Sequence, residues 1–141
     1  MPPQLIVVTD PTANEYRAPI VTLLRDFNVQ AAGRLNEAPL AIVLREGEGK
    51  VIGGLYAFQA YDWLNVELVY VPDALRGQGL GAALIARAEE VAGARGCRGV
   101  WLDTFSFQAR GFYERLGYAV FGTVEDHPVG GARYFMKKAL R

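Results

Sequence analysis

Six residues near the middle of the chain, Arg76-Gly77-Gln78-Gly79-Leu80-Gly81, stand between an apolar strand pattern and a helical one. Glycines let a backbone approach a ligand closely. The N–H groups of a helix's first turn lack intrahelical partners, and the helix dipole favours an anion there. Arg76 adds a planar fork of donors suited to phosphate. The segment therefore reads as a phosphate- or pyrophosphate-binding loop. The alternative is a ligand-free connector, whose glycines would cost backbone entropy with no evident packing reason. A second signal is Glu67, in the middle of the apolar run at residues 63–71. Alternation puts it on the face of Trp63, Asn65, Val69 and Val71. A carboxylate in a central strand is costly unless paired or used, and partial burial would raise its pKa. It either pairs with a basic side chain across the sheet or handles a proton.

Other chemistries are narrowed by composition. One cysteine, Cys97, and one histidine, His127, exclude a disulfide framework and argue against a Cys- or His-rich metal centre. No serine lies in a nucleophile-elbow pattern. Cys97 reads as small buried filler, and His127 as part of a solvated loop. Fifteen basic and fifteen acidic side chains cancel, leaving no electrostatic footprint for nucleic acid or an anionic membrane. No apolar run approaches a membrane span, no signal peptide is visible, and the absence of disulfides fits a cytoplasmic protein.

The length, 141 residues, is that of one domain, and the reading is a single domain over 1–141. Strands are expected at 5–8, 40–44, 51–60 and 63–71. The first helix is expected at 14–32, with Ile20, Leu23, Leu24 and Phe27 at helical spacing and Pro19 near its start. Glu46-Gly-Glu-Gly-Lys reads as a hairpin turn, and Gly53-Gly54 as a bulge or close backbone approach. A helix over 80–94 places Leu80, Leu84, Ala88 and Val91 on one face, with Gly96 as its cap. A short strand at 100–102 and a short helix at 108–116, closed by Gly117, follow. Two final strands lie at 118–123 and 132–138. This order gives an α/β or α+β fold with a mixed, partly antiparallel sheet.

Three phosphate-binding patterns compete for the loop. A P-loop would need a lysine that is not there. Gly77, Gly79 and Ala82 satisfy a dinucleotide fingerprint, with Asp103 about twenty residues on. The loop begins only at mid-chain, however, and residues 72–76 separate the strand from the glycines. The third pattern fits further. Arg76-x-x-Gly79-x-Gly81 is similar to the (Q/R)-x-x-G-x-(G/A) signature of the GNAT superfamily of CoA-dependent N-acetyltransferases. Val71-x-x-Ala74 before it and Ala109-x-x-Phe112-Tyr113-x-x-x-Gly117-Tyr118 after it follow that family's order. The resemblance covers residues 51–122 well.

It implies a sheet splayed into a V between two parallel strands, with acetyl-CoA in the opening. The pantetheine arm would pair with the edge of Val69, Tyr70 and Val71. The pyrophosphate would lie on Gly77, Gln78, Gly79, Leu80, Gly81 and Ala82, near Arg76. Phe112 belongs to the same cofactor set, as does Ser106, where many members have asparagine. Tyr113 matches the family's helix tyrosine, the acid that protonates the departing thiolate; Glu67 matches its glutamate base. Asp103 becomes a turn or cap residue. The implied partner is a primary amine of a small molecule; His127, Tyr61 and Trp63 are neighbours it could meet. Members also pair as homodimers through C-terminal strands, here Tyr134-Phe135-Met136. The alternatives are a non-catalytic acyl-CoA-binding or sensing domain and an NAD-binding protein. Calorimetric titration separates them: micromolar binding of acetyl-CoA with no heat from NAD is expected, and binding of NAD alone would overturn the resemblance.

Overall fold

A computed structural model describes residues 1–34 and 36–140. The chain divides into two units, Met1–Leu35 and Asn36–Arg141. The first holds a 3-10 helix, Pro11–Tyr16, running into α1, Arg17–Ala32. Asp10 starts it: its carboxylate accepts the Thr12 N–H at 2.9 Å and the Thr12 hydroxyl, and these hydrogen bonds hold its pKa below the usual value. Pro19 falls in the first turn of α1, where its missing N–H costs nothing. Residues 5–8, expected as a strand, join no ladder among the described residues. An apolar run supplies strand propensity but not the neighbouring edge that a strand needs.

The second unit is one six-stranded sheet in the order β1-β2-β3-β4-β6-β5. The strands are β1 Ala38–Arg45, β2 Val51–Ala60, β3 Trp63–Tyr70, β4 Gly99–Phe105, β5 Ala119–Glu125 and β6 Ala132–Ala139. Among the described residues, β3 and β4 are the neighbours that pair parallel and the other neighbours pair antiparallel, so the expected mixed sheet is present. A parallel pair needs a crossover, and α2, Leu80–Ala94, supplies it. Tyr61 and Asp62, both at positive φ, make the tight turn between β2 and β3. Trp63 packs over Gly99, where a Cβ would stand 2.5 Å from the indole. Gly53 shows the expected close approach, since a Cβ there would lie 2.5 Å from the Tyr70 carbonyl oxygen.

The parallel pairing is short. It runs from Trp63↔Gly99 to Val66↔Leu102 and stops. The cause lies on the other side of β3. Ala57 pairs with Val66 and Tyr56 with Leu68, leaving Glu67 as an extra residue. A bulge of this kind bends its strand and re-aims a side chain. It also reverses the alternation: Leu64 and Val66 before it, and Val69 and Val71 after it, all touch the core. The single alternation expected for residues 63–71 is therefore corrected.

The core lies between the sheet and α2. Its largest fully buried side chains include Leu64, Ile85, Leu102 and Met136. The buried stripe of α2 is Leu84, Ile85, Ala88 and Ala92, rotated from the expected one so that Val91 is only half-buried. Cys97 is buried as expected, and burial pushes its thiol pKa up. Met136 is buried in the chain's own core, so it is not a free surface for a partner. No helix among the described residues is long and apolar enough to cross a membrane.

α2 and the short helix α3, Arg110–Arg115, end alike. The Cys97 N–H returns to the Ala92 carbonyl, and the Tyr118 N–H to the Tyr113 carbonyl, each past a glycine at positive φ. A polar lock joins the body of α2 to the residue after the α3 turn and to β6. The Tyr118 hydroxyl donates to Glu89 at 2.8 Å, and Lys138 Nζ donates to both oxygens of Glu89 at 3.0 and 3.2 Å. Tyr118 is buried, and its pKa is pushed up, first by burial and then by the hydrogen bond to Glu89. A raised folded pKa means that the folded state keeps this proton longer than the unfolded one. The contribution is complete below the unfolded tyrosine value of about 10 and is lost as pH rises above it. Tyr118→Phe should lower stability by about 1 kcal/mol at neutral pH and flatten the alkaline decline. Urea unfolding at several pH values checks both; an unchanged alkaline slope would remove Tyr118 from the account.

Candidate active site

Where β3 and β4 part, a cleft of about 1050 Å³ opens within the second unit. Its walls are the unpaired end of β3, the start of α2, the end of β4 and the helix α3, Arg110–Arg115. The loop after β3 shapes one side. Gly77 and Gly79 have φ of +79° and +82°, which other residues rarely adopt. A Cβ at either would meet nothing within 4 Å, so the glycines serve the turn rather than the available room. Gly81 differs: a Cβ there would stand 3.2 Å from Phe112 of α3, so its bareness lets the two helices approach.

The first capping bond of α2 is Ala83 N–H to the Gly79 carbonyl, and no side chain caps Gly79. The earlier N–H groups are the set to which an anion would bind. Arg76 is held beside them. Its Nε donates to the Val71 carbonyl at 2.9 Å, its Nη1 meets Asp73 at 2.7 Å, and its guanidinium lies over the Tyr70 ring. Arg76 thus braces the loop as well as charging it.

Most expected site residues come together here. Val69, Tyr70 and Val71 line the cleft from β3, and Arg76, Gly77 and Gly79 from the loop. Leu80, Gly81 and Ala82 line it from α2, with Phe112 and Tyr113 opposite. Gln78 and Ser106 do not. Gln78 is exposed and is not among the residues that line the cleft. The Ser106 hydroxyl instead accepts the Ala132 N–H at 3.0 Å, and its backbone N–H bonds the Ala132 carbonyl. Ser106 secures the start of β6, a task its distance from Ala132 in sequence could not reveal.

Tyr113 and Glu67 occupy different environments. The Tyr113 ring is buried, braced edge-on by Phe112 at 5.0 Å and by Tyr118 at 6.0 Å. Burial, and secondarily the nearby Asp103 carboxylate, raises its pKa, so it remains a proton donor at neutral pH. Glu67 lines the cleft but is exposed. The partial burial expected for it is not found, because the bulge turns it outward. α3 itself is positioned by hydrogen bonds the sequence hid: Gln108 accepts the Phe105 N–H at 2.7 Å, and Thr104 accepts the Ala109 N–H at 3.2 Å.

Asp103 is neither turn nor cap. It lies within β4 opposite Phe135, and Arg133 donates to it at 2.8 Å. The pair lines the cleft on the sheet face away from α2, and the hydrogen bond raises the Arg133 pKa further. Sequence patterning missed Arg133, although its place one strand over from β4 follows from the β5–β6 hairpin.

The matching family model, described as the acetyltransferase (GNAT) family, covers residues 9–118. The chain belongs to this family. The GNAT chain is 37% identical over 132 residues to the acetyltransferase Atu2258 of Agrobacterium fabrum, covering 94% of this chain and 96% of that protein. It is 38% identical over 130 residues to the blasticidin-S acetyltransferase of Streptomyces morookaense, covering 92% and 94%. Among solved structures, an acetyltransferase from Bacillus cereus aligns with a TM-score of 0.80 at 31% identity, over 97% of this chain and 98% of that one. The protein is an N-acetyltransferase, and its acyl donor is the family's, acetyl-CoA.

Proposed function

We propose that this enzyme transfers the acetyl group of acetyl-CoA to a primary amine of a small molecule, by direct attack within a ternary complex. The observation that carries the reading is the cleft between the parted strands, which has an anion-binding loop on one wall and the buried Tyr113 phenol on another. The family match over residues 9–118 spans both units of the chain, which supports one transferase domain. A relative similar over nearly its whole length is named for acetylation of blasticidin S, which supports a small acceptor.

In this reading the pyrophosphate lies on the free amides at the start of α2, near Arg76. The pantetheine arm completes the β3 edge at Val69, Tyr70 and Val71, where β4 has moved away. The amine nitrogen attacks the thioester carbonyl, and an N–H on β3 stabilises the resulting oxyanion. The C–S bond then breaks, and the thiolate takes the Tyr113 proton. A free phenol and an alkyl thiol are close in acidity, and burial makes the Tyr113 phenol the weaker acid of the two, so this transfer runs uphill and is drawn forward by departure of the thiol. Glu67 receives the proton that the ammonium must lose before attack, and the second nitrogen proton, released once the C–N bond has formed, restores the Tyr113 phenol through solvent. The exposure of Glu67 makes solvent relay available, and its place at the bulge sets it where the strands part.

Two variants test these roles. Tyr113→Phe should lower kcat by about a hundredfold while the Kd for acetyl-CoA changes less than twofold, the span expected for loss of one general acid. Equal turnover would remove Tyr113 from the mechanism. Glu67→Gln should lower the rate most at the acid end of the pH profile, where more of the amine is protonated and needs a base. A profile superimposable on wild type would leave Glu67 a structural bulge residue.

A further inference from the structure

The two faces of the parted strands differ in chemistry. Val100 and Leu102 of β4 point to the core beneath α2, and Asp103 and Phe105 lie on or near the other face. The loop before α2 and the tyrosine of α3 belong to the helix side of the second unit; with the donor there, the acceptor is assigned to the other face of this unit's sheet. That side carries an aromatic construction with no role in the transfer described above. Phe105 and Phe107 both line the cleft, their rings stacked at 5.4 Å and 11° from parallel. Phe107 is nevertheless 71% exposed. Phe105 beneath it is fixed from two more directions: His127 meets it edge-on at 5.1 Å, and the Arg133 guanidinium lies 5.3 Å from its centroid. Arg133 is in turn held by Asp103 at 2.8 Å.

An exposed phenylalanine costs solvation and is ordinarily mobile. Here its ring rests on a second ring that is held by a cation and an imidazole, and the cation is held by a carboxylate. That is a preorganised flat surface, beside the cleft in which acetyl transfer would take place. Flat conjugated rings gain most from such a surface, because stacking prefers parallel, offset faces. A flexible alkyl chain gains only area, and loses rotamer freedom to gain it.

Taking the small-molecule amine reading as its basis, we infer that Phe107, stacked on Phe105, is a specificity determinant that receives a planar conjugated ring of the acceptor. The acceptor class is then an amine carried on an aromatic or heteroaromatic compound, in preference to an aliphatic polyamine. Phe105, Arg133 and His127 are positioning residues for the platform.

The experiment compares 2-phenylethylamine with hexylamine, two primary amines of similar reach, on the whole chain with saturating acetyl-CoA. Wild type should show kcat/KM about tenfold higher for 2-phenylethylamine, a ratio matching the energy of one aromatic stack. Phe107→Ala should bring the ratio near one through a raised KM for 2-phenylethylamine, and Phe107→Tyr should restore it. The KM for acetyl-CoA should not move in either variant; a rise would assign Phe107 to the donor and overturn the inference. Equal use of both amines by wild type, or an unchanged ratio in Phe107→Ala, would also overturn it while leaving amine acetylation intact. Turnover of neither amine would sink the small-molecule reading and the platform with it.

Discussion

Everything at the site depends on the early end of pairing between β3 and β4. Parallel strands gain stability from each further bond, so parting them needs a cause. The cause is one inserted residue, Glu67, on the opposite edge of β3. The bulge bends β3 away after Val66, leaves its backbone groups without a partner on β4, and opens a gap reaching from one face of the sheet to the other. Unpaired backbone groups in a sheet interior are unfavourable unless something else meets them. The gap is therefore where the proposed donor would bind: a ligand with amide groups would satisfy what the strand has given up.

The rest of the second unit holds that gap open at a fixed width. Below it, Asn65 Nδ2 donates to the Trp101 carbonyl at 3.2 Å and the Arg98 N–H to the Asp62 carbonyl at 2.7 Å, so the strands stay joined at their base. Above it, α2 and α3 meet through Gly81 and Phe112, and the Glu89 carboxylate ties α2 to Tyr118 and to β6. On the far side, the Asp103–Arg133 pair links β4 to β6 across the cleft wall. The pair is only half-buried, and an ion pair still open to solvent adds little stability. Its value is geometric, since it fixes the Arg133 guanidinium over the rings of Phe105 and Phe135.

Local signals carried much of this into the sequence. Glycines before an apolar-periodic helix mark the anion loop, and the glycines after α2 and α3 mark where those helices stop. The Phe112-Tyr113 pair and its spacing to Gly117 place α3 against the loop. What stayed hidden depends on pairing between distant segments. The bulge at Glu67 is a property of β2 and β3 together, and no periodicity within residues 63–71 reveals it. Ser106 reads as a polar loop residue near a ligand, but its hydroxyl is spent on Ala132. Asp103 reads as a loop acid because its partner, Arg133, arrives a hairpin later.

The position of β6 between β4 and β5 has a consequence for how the protein is made. β5 leaves the ribosome before β6, yet β6 is the strand it pairs with. Until β6 follows, β5 has no neighbour in the sheet, and β4 has an open edge. The cleft wall that bears Arg133 forms at the same moment. The nascent chain therefore displays two unsatisfied strand edges while the donor loop and α2 are already complete. The binding function and the hazard of edge-to-edge association are resolved by one closing event.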